Sequence, residues 1–279
     1  MMKKTILTVS LALTTMGLFA QTIHFDATDR AIGTVTKSGQ QILPQAGDVA
    51  IGIDAASLLE YAGGMFSDSG AKAPSFSYQD DIFKAPAIYF KYFLSDEAAL
   101  RTKLHLGFNS VKEKSQEPEV GNANGEVDNV KTDAFNGFGL SVGYEMRRGY
   151  GRLQGFFGPE IGLGFSSSST SYDWGNRISE YNTLSGSSRK LKETNPSEFN
   201  FRVGGFAGVE YFIAPKLSIG GEVGLGLGFG SKGKTEIETE QWDYTNRGFL
   251  KTNKVEAGGG SSFSFSTKYN ASLSVMFHF

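Results

Sequence analysis

Eight stretches of this chain alternate apolar and polar residues with a period of two, the pattern of strands that present different faces to different surroundings. They span about 48–58, 84–94, 100–110, 135–147, 150–166, 198–213, 216–230 and 263–279. The last is the clearest. Tyr269, Ala271, Leu273, Val275, Phe277 and Phe279 share one face, and Asn270, Ser272, Ser274, Met276 and His278 share the other. The connections also follow a rule. Residues 95–98, 147–150 and 214–215 are tight turns, whereas 59–83, 111–134, 167–197 and 231–262 are long and polar, and the two kinds alternate along the chain. Strict alternation of short and long connections predicts antiparallel neighbours running up and down, with all long loops at one end.

Charge follows the same parity. One face of the eight stretches carries Val49, Ile51 and Ile53, then Ile88, Phe90 and Tyr92, and continues through sets such as Leu217, Ile219, Val223, Leu225 and Leu227 without a charged residue. Asp48, Asp54, Lys91, Arg101, Lys103, Glu145, Arg147, Arg152, Glu160, Arg202, Glu210, Glu222 and Lys268 all fall on the opposite face. Aromatic residues flank the uncharged band: Tyr92, Tyr144, Tyr211 and Phe277 toward the turns, and Phe108, Phe165, Phe199 and Phe229 toward the loops. A Lys or Arg facing lipid near the bilayer midplane costs on the order of 2–4 kcal/mol, so such sorting is expected of a membrane-spanning sheet. A water-soluble sandwich would show it on single strands only.

The closing strand and its terminal Phe279 resemble those of outer-membrane β-barrels, and the size is similar to that of the small OmpX-like and OmpA-like eight-stranded members of Gram-negative bacteria. The resemblance is architectural and covers residues 47–279. It implies an all-β fold, an eight-stranded antiparallel up-and-down transmembrane β-barrel in the cell outer membrane, without the periplasmic domain that OmpA-like chains append. It also implies partners: outer-membrane lipid, periplasmic chaperones, and a barrel assembly machinery that reads Phe277 and Phe279 as an assembly signal. An even strand number puts both termini on the periplasmic side.

The front of the chain agrees with export. Lys3 and Lys4 precede an apolar run from Ile6 to Phe19, and Ala20 offers a small residue before Gln21, so residues 1–20 are expected to be a signal peptide. Residues 21–46 are expected to form an N-terminal periplasmic segment, with Ile23–Phe25 and Ile32–Val35 as short strand candidates. Cysteine is absent, which excludes disulfides. A formal net charge of −2 excludes a nucleic-acid partner. Mean hydropathy is −0.23, as befits strands with one polar face.

Inside such a barrel, Asp54, Lys91, Arg101, Lys103, Glu145, Arg152, Glu160, Arg202, Glu210 and Glu222 are expected to pair as a lumen charge network, because an unpaired buried charge is costly. Toward the loops, Gly137, Gly139, Gly162, Gly164, Gly224, Gly226 and Gly228 point inward. They leave either a crevice or room for large neighbours. Pro159 cannot donate a ladder hydrogen bond, which predicts a bulge or locally broken ladder at Gly158–Glu160.

Two chemistries are weighed and set aside. Gly228 to Thr235 matches a phosphate-binding loop letter for letter, yet a strand precedes it and Glu236-Ile-Glu-Thr-Glu240 follows, where a helix is required. Only His24, His105 and His278 could serve as bases, with no Ser–His–acid spacing, so no catalytic residue, metal or cofactor is expected. The function expected is a structural and surface-interaction role through the long loops, with an extracellular ligand that the sequence does not name. A narrow, porin-like passive channel is the alternative, and a lipid-modifying enzyme comes third.

Overall fold

The computed structural model describes residues 35–55, 82–182, 188–247 and 251–279, with backbone only for 84, 251–253, 255, 257 and 265–271. Signal and early N-terminal expectations fall outside these residues. Described elements are β1 (Val49–Asp54), a 3₁₀ turn (Ile82–Lys84), β2 (Ala87–Ser95), β3 (Ala98–Pro118), β4 (Glu126–Tyr150) and β5 (Leu153–Asp173). They continue with β6 (Ser188–Thr194), β7 (Glu198–Ala214), β8 (Leu217–Lys232), β9 (Thr235–Gln241), β10 (Lys251–Ala257) and β11 (Gly260–His278).

All eleven strands belong to one antiparallel sheet, and eight of them close a ring in the order β1, β2, β3, β4, β5, β7, β8, β11 and back to β1. The closing seam uses the chain end: Phe279 N–H donates to the Val49 carbonyl at 2.8 Å, and Val49 N–H donates back at 3.2 Å. Sequence expectation was eight strands, and the extra three have a simple origin. Thr194 pairs with Glu236 and Glu198 with Lys232, so β6 and β9 continue the lines of β7 and β8 in the same register. Ala257 pairs with Thr235 and Gly260 with Lys232, so β10 likewise continues β11. Three long strands are each interrupted once, at 195–197, 233–234 and 258–259.

The ring is staggered. Following paired residues from Asp48 through Phe93, Ala99, Glu145, Gly158, Phe206, Gly224 and Asn270 returns to the β1 line ten residues beyond the start. With strands about 4.8 Å apart and a rise of about 3.3 Å per residue, this stagger tilts them by about 40° and gives a backbone diameter of about 16 Å. Such a ring is narrow enough for side chains to fill.

Parity decides what fills it. Val49, Ile51, Ile53, Leu100, Ile161, Val209, Val223 and Leu225 are exposed on the outer face, while Lys91, Arg101, Lys103, Glu145 and Glu210 are buried inside. Pro159 interrupts the β4–β5 ladder between Gly143–Glu160 and Met146–Phe157 without shifting register, while its pairing to Gly205 on β7 persists. Gly158 is needed there, because a Cβ would sit 1.8 Å from the Tyr144 carbonyl oxygen.

Where polar loops were expected, the structure has strands. Residues 111–134 are a hairpin paired out to Pro118–Glu126, and 167–173, 188–194, 235–241 and 251–257 extend the sheet beyond the ring. These segments alternate weakly because both faces are polar, so hydrophobic period could not reveal them.

Candidate functional site

The interior of the ring is built in layers, and ion pairing makes the central one. Four cations and four carboxylates meet there with side chains 0–11% exposed. Glu145 takes Lys91 at 2.9 Å, Arg147 at 2.9 Å and Arg101 at 3.6 Å. Glu210 takes Arg147 at 2.5 Å and Lys91 at 3.7 Å, and accepts from Ser218 Oγ at 2.6 Å. Toward the loop end, Glu222 takes Arg101 at 2.7 Å and Lys103 at 2.5 Å, and Glu160 takes the same two at 3.4 and 3.1 Å. Each carboxylate thus touches at least two cations. The Arg101 guanidinium also lies 3.8 Å from the Phe206 ring centroid, and Lys91 lies 4.7 Å from that of Phe156.

Above this layer, Tyr89 donates to Ser272 at 2.8 Å. His105 Nδ1 donates to the Ala85 carbonyl at 2.7 Å, which fixes the proton on that nitrogen. Ile82 and Phe83 then fold into the loop end of the ring, fully or nearly buried. They occupy the space that the inward glycines leave: a Cβ on Gly137 would come within 2.5 Å of Ile82, and one on Gly164 within 2.7 Å of both residues. At these glycines the room is taken by Ile82 and Phe83 from the segment before β2, rather than left as a crevice.

Below the network, a strap crosses the turn end. Ala46 N–H donates to Asp96 in the β2–β3 turn, and the Ile42 carbonyl accepts from Lys216 N–H in the β7–β8 turn, on the opposite side of the ring. Ile42 is buried between these anchors. Gly47 and Asp48 hydrogen-bond to Phe93, and Asp48 forms an ion pair with Lys216. Burial alone would push the Asp48 carboxyl up, but the Lys216 ammonium and the Gln45 N–H outweigh it and hold the carboxyl below its ordinary range. This stabilisation is full above the unfolded value near about 3.9 and is lost as pH falls through the lower folded value. Asp48→Asn should therefore speed amide exchange at Gly47 and Lys216 at neutral pH but not at strongly acid pH. Equal neutral-pH exchange in both proteins would remove the latch.

The expected network residues do not all meet. Lys91, Arg101, Lys103, Glu145, Glu160, Glu210 and Glu222 converge as described. Arg152 sits in the β4–β5 turn and donates to the carbonyls of Phe212 and Ile213 at 3.4 and 3.2 Å. Arg202 lies 4.2 Å from the Phe83 ring centroid, nearer the loop end. Asp54 ends β1 opposite Ser274, and the Lys268 side chain lies outside the described residues. Phe277 and Phe279 face outward at the seam. Arg147, placed by the alternation on the inward face of its strand but left out of the expected network, lies at the network's centre. Its shared parity with Glu145, two positions earlier, was the available signal. His278 and Ser218 also belong here, with His278 Nε2 3.0 Å from Ser218 Oγ.

The Gly228–Thr235 segment runs from β8 into β9 with no helix, so it forms no phosphate cradle. Among the described residues no cluster of His, Asp and Glu could hold a metal ion, and no helix is long and apolar enough to cross a membrane. No protein-family model and no curated protein matches this chain.

Proposed function

We propose that this chain is an integral outer-membrane β-barrel of eight up-and-down strands, anchored by its uncharged outer band and acting at the cell surface through its loop-end sheet. One observation carries the reading: the ring is inverted relative to a water-soluble fold, with charges sealed inside and Val, Ile, Leu and Phe exposed outside. Aromatic rows bound the apolar band. At the loop end, Phe138, Phe165 and Phe199 lie on neighbouring strands, and the row continues through Phe201, Phe229 and Phe263. At the turn end, Tyr92, Leu100 and Tyr144 pair across, as do Leu153, Tyr211 and Ile219. The run from Tyr211 to Phe199 along β7, tilted at about 40°, rises about 30 Å, close to the thickness of a hydrocarbon core. In this reading residues 1–20 direct export, and chaperones and the assembly machinery deliver the chain.

Three closures in series, the strap, the ion network and the Ile82–Phe83 plug, support a lumen that does not conduct. The surface role draws on the loop-end sheet, which carries both tryptophans, Trp174 and Trp242, with Tyr172 stacked on Trp174 at 5.7 Å and Tyr181 84% exposed. Refolded protein should insert into lipid vesicles and show no steady single-channel current in a planar bilayer. Stable, reproducible conductance would favour the passive-channel alternative. A folded monomer in buffer without detergent or lipid would overturn the membrane reading altogether.

A further inference from the structure

On the outer wall just beyond the apolar band, one sector carries hydroxyls and two unpaired lysines. Parity fixes its outward positions, because the β3–β4 and β4–β5 ladders run on from the outward Phe108, Phe138 and Phe165 without a register shift. Lys112 pairs across with Thr132, Thr132 with Ser171, and Ser171 with Lys192 on β6, so these four side chains share one transverse row on the outer face. Three strand spacings set the two lysines about 14 Å apart. Both are exposed, and among the described residues neither forms an ion pair. By contrast, Lys114, Lys131, Lys190 and Lys254 in the same sheet are held by Asp128, Asp133, Glu193 and Glu236. Glu238 on β9 ends the row beyond Lys192. Between the row and the phenylalanines, the outward side chains of β3, β4 and β5 are uncharged: Ser110, Ala134, Asn136, Ser167 and Ser169. Below them lies a groove of about 580 Å³, floored by Phe108, Phe138, Phe165 and Phe199.

Resting on the membrane reading above, we infer that this sector binds one phosphorylated glycolipid of the loop-side leaflet, its acyl chains on the phenylalanines and its sugar-phosphate head on the Lys112–Lys192 row. Continuity names the source: the groove floor belongs to the same uncharged band that faces lipid, so a bilayer lipid reaches it by lateral movement alone. The surface leaflet of an outer membrane is built of glycolipid, so occupant and proposed membrane agree. Charge complementarity names the head. Two exposed ammonium groups without carboxylate partners suit phosphates, which accept charge-assisted hydrogen bonds. The hydroxyls of Ser110, Thr132, Ser169 and Ser171 donate and accept, as the hydroxyls of a sugar require. A head with one phosphate reaches one lysine, whereas a sugar bearing two phosphates spans both.

The test is native mass spectrometry of full-length protein released from nanodiscs that contain phosphatidylethanolamine, phosphatidylglycerol and bisphosphorylated lipid A. One lipid A should survive stepwise activation. Lys112→Gln with Lys192→Gln should lower that retention about tenfold. Lys131→Gln with Lys190→Gln removes the same charge from lysines already held by Asp133 and Glu193, and should leave retention unchanged. Protein that inserts but retains no lipid A, or retains as much in the Lys112/Lys192 variant, overturns the site and leaves the membrane reading intact. Equal retention of phosphatidylglycerol would mean that any anionic lipid suffices, which overturns the glycolipid. Displacement of lipid A by an equal concentration of a soluble bisphosphorylated disaccharide would mean that the head binds alone, which overturns the role of the groove. Protein that does not enter nanodiscs overturns the membrane reading first.

Discussion

Replacing Glu145 with Leu should destabilise the refolded protein by about 3–5 kcal/mol, the usual cost of leaving a buried partner charge uncompensated. Glu145 is fully buried and is the shared anion of Lys91, Arg147 and Arg101. Its loss turns three buried cations toward an apolar side chain and leaves Lys91 and Arg147 to share Glu210, with Arg101 on Glu160 and Glu222. Glu193→Leu is the matched control. Its partner Lys190 lies on exposed β6, so the change should stay within about 0.5 kcal/mol. Urea unfolding in lipid vesicles, followed by tryptophan fluorescence, measures both. Similar small values for the two would mean that the network is hydrated or interchangeable, and the closed-lumen reading would fall with it. The pairs need not add net stability over an apolar core of the same shape. Their physical effect is selective: a slipped strand would separate a buried cation from its carboxylates, so the observed register is the one in which each carboxylate meets at least two cations.

Arginine at Leu225 should impair insertion far more than arginine at Gly224. Leu225 is 51% exposed on the outer face midway along β8, where under the proposed membrane setting a cation would meet hydrocarbon at about 2–4 kcal/mol. Gly224 points inward two residues from Glu222, whose carboxylate already binds Arg101 and Lys103. The fraction of protein that reaches the folded, heat-modifiable form in vesicles reads the difference directly. A sheet surrounded by water would reverse the order, because an exposed Arg would be harmless and an inward one would be crowded. Equal yields would overturn the assignment of faces.

The ring strands were legible because a period-two pattern survives only where the two faces have different surroundings, and exposed apolar side chains outside with ion pairs inside are an extreme contrast. Beyond the ring that contrast disappears. Residues 109–118 of β3 and all of β9 have water or polar neighbours on both faces, so their pairing is set by backbone hydrogen bonds to distant residues and leaves no trace in local hydropathy. The β4–β5 turn was placed too early for a related reason: Arg147-Arg-Gly-Tyr150 reads as a turn, yet the ladder continues to Tyr150 opposite Leu153 and moves the turn to Gly151–Arg152. The Pro159 interruption was legible because the missing N–H is a covalent fact that no packing can alter.

What the chain settles unaided is which residues face out and which face in, since successive side chains on a strand must point oppositely and the charges lie on one parity. Which inward charges meet was decided only by closure. A stagger of ten residues brings Arg101 to Glu222 across 121 positions of sequence and leaves Arg152 and Arg202 at other levels. Closure likewise chose Ile82 and Phe83 for the space beside the inward glycines and drew Ile42 across the turn end. These contacts depend on the tilt and circumference of a closed sheet, quantities that belong to the ring as a whole and to no stretch of residues within it.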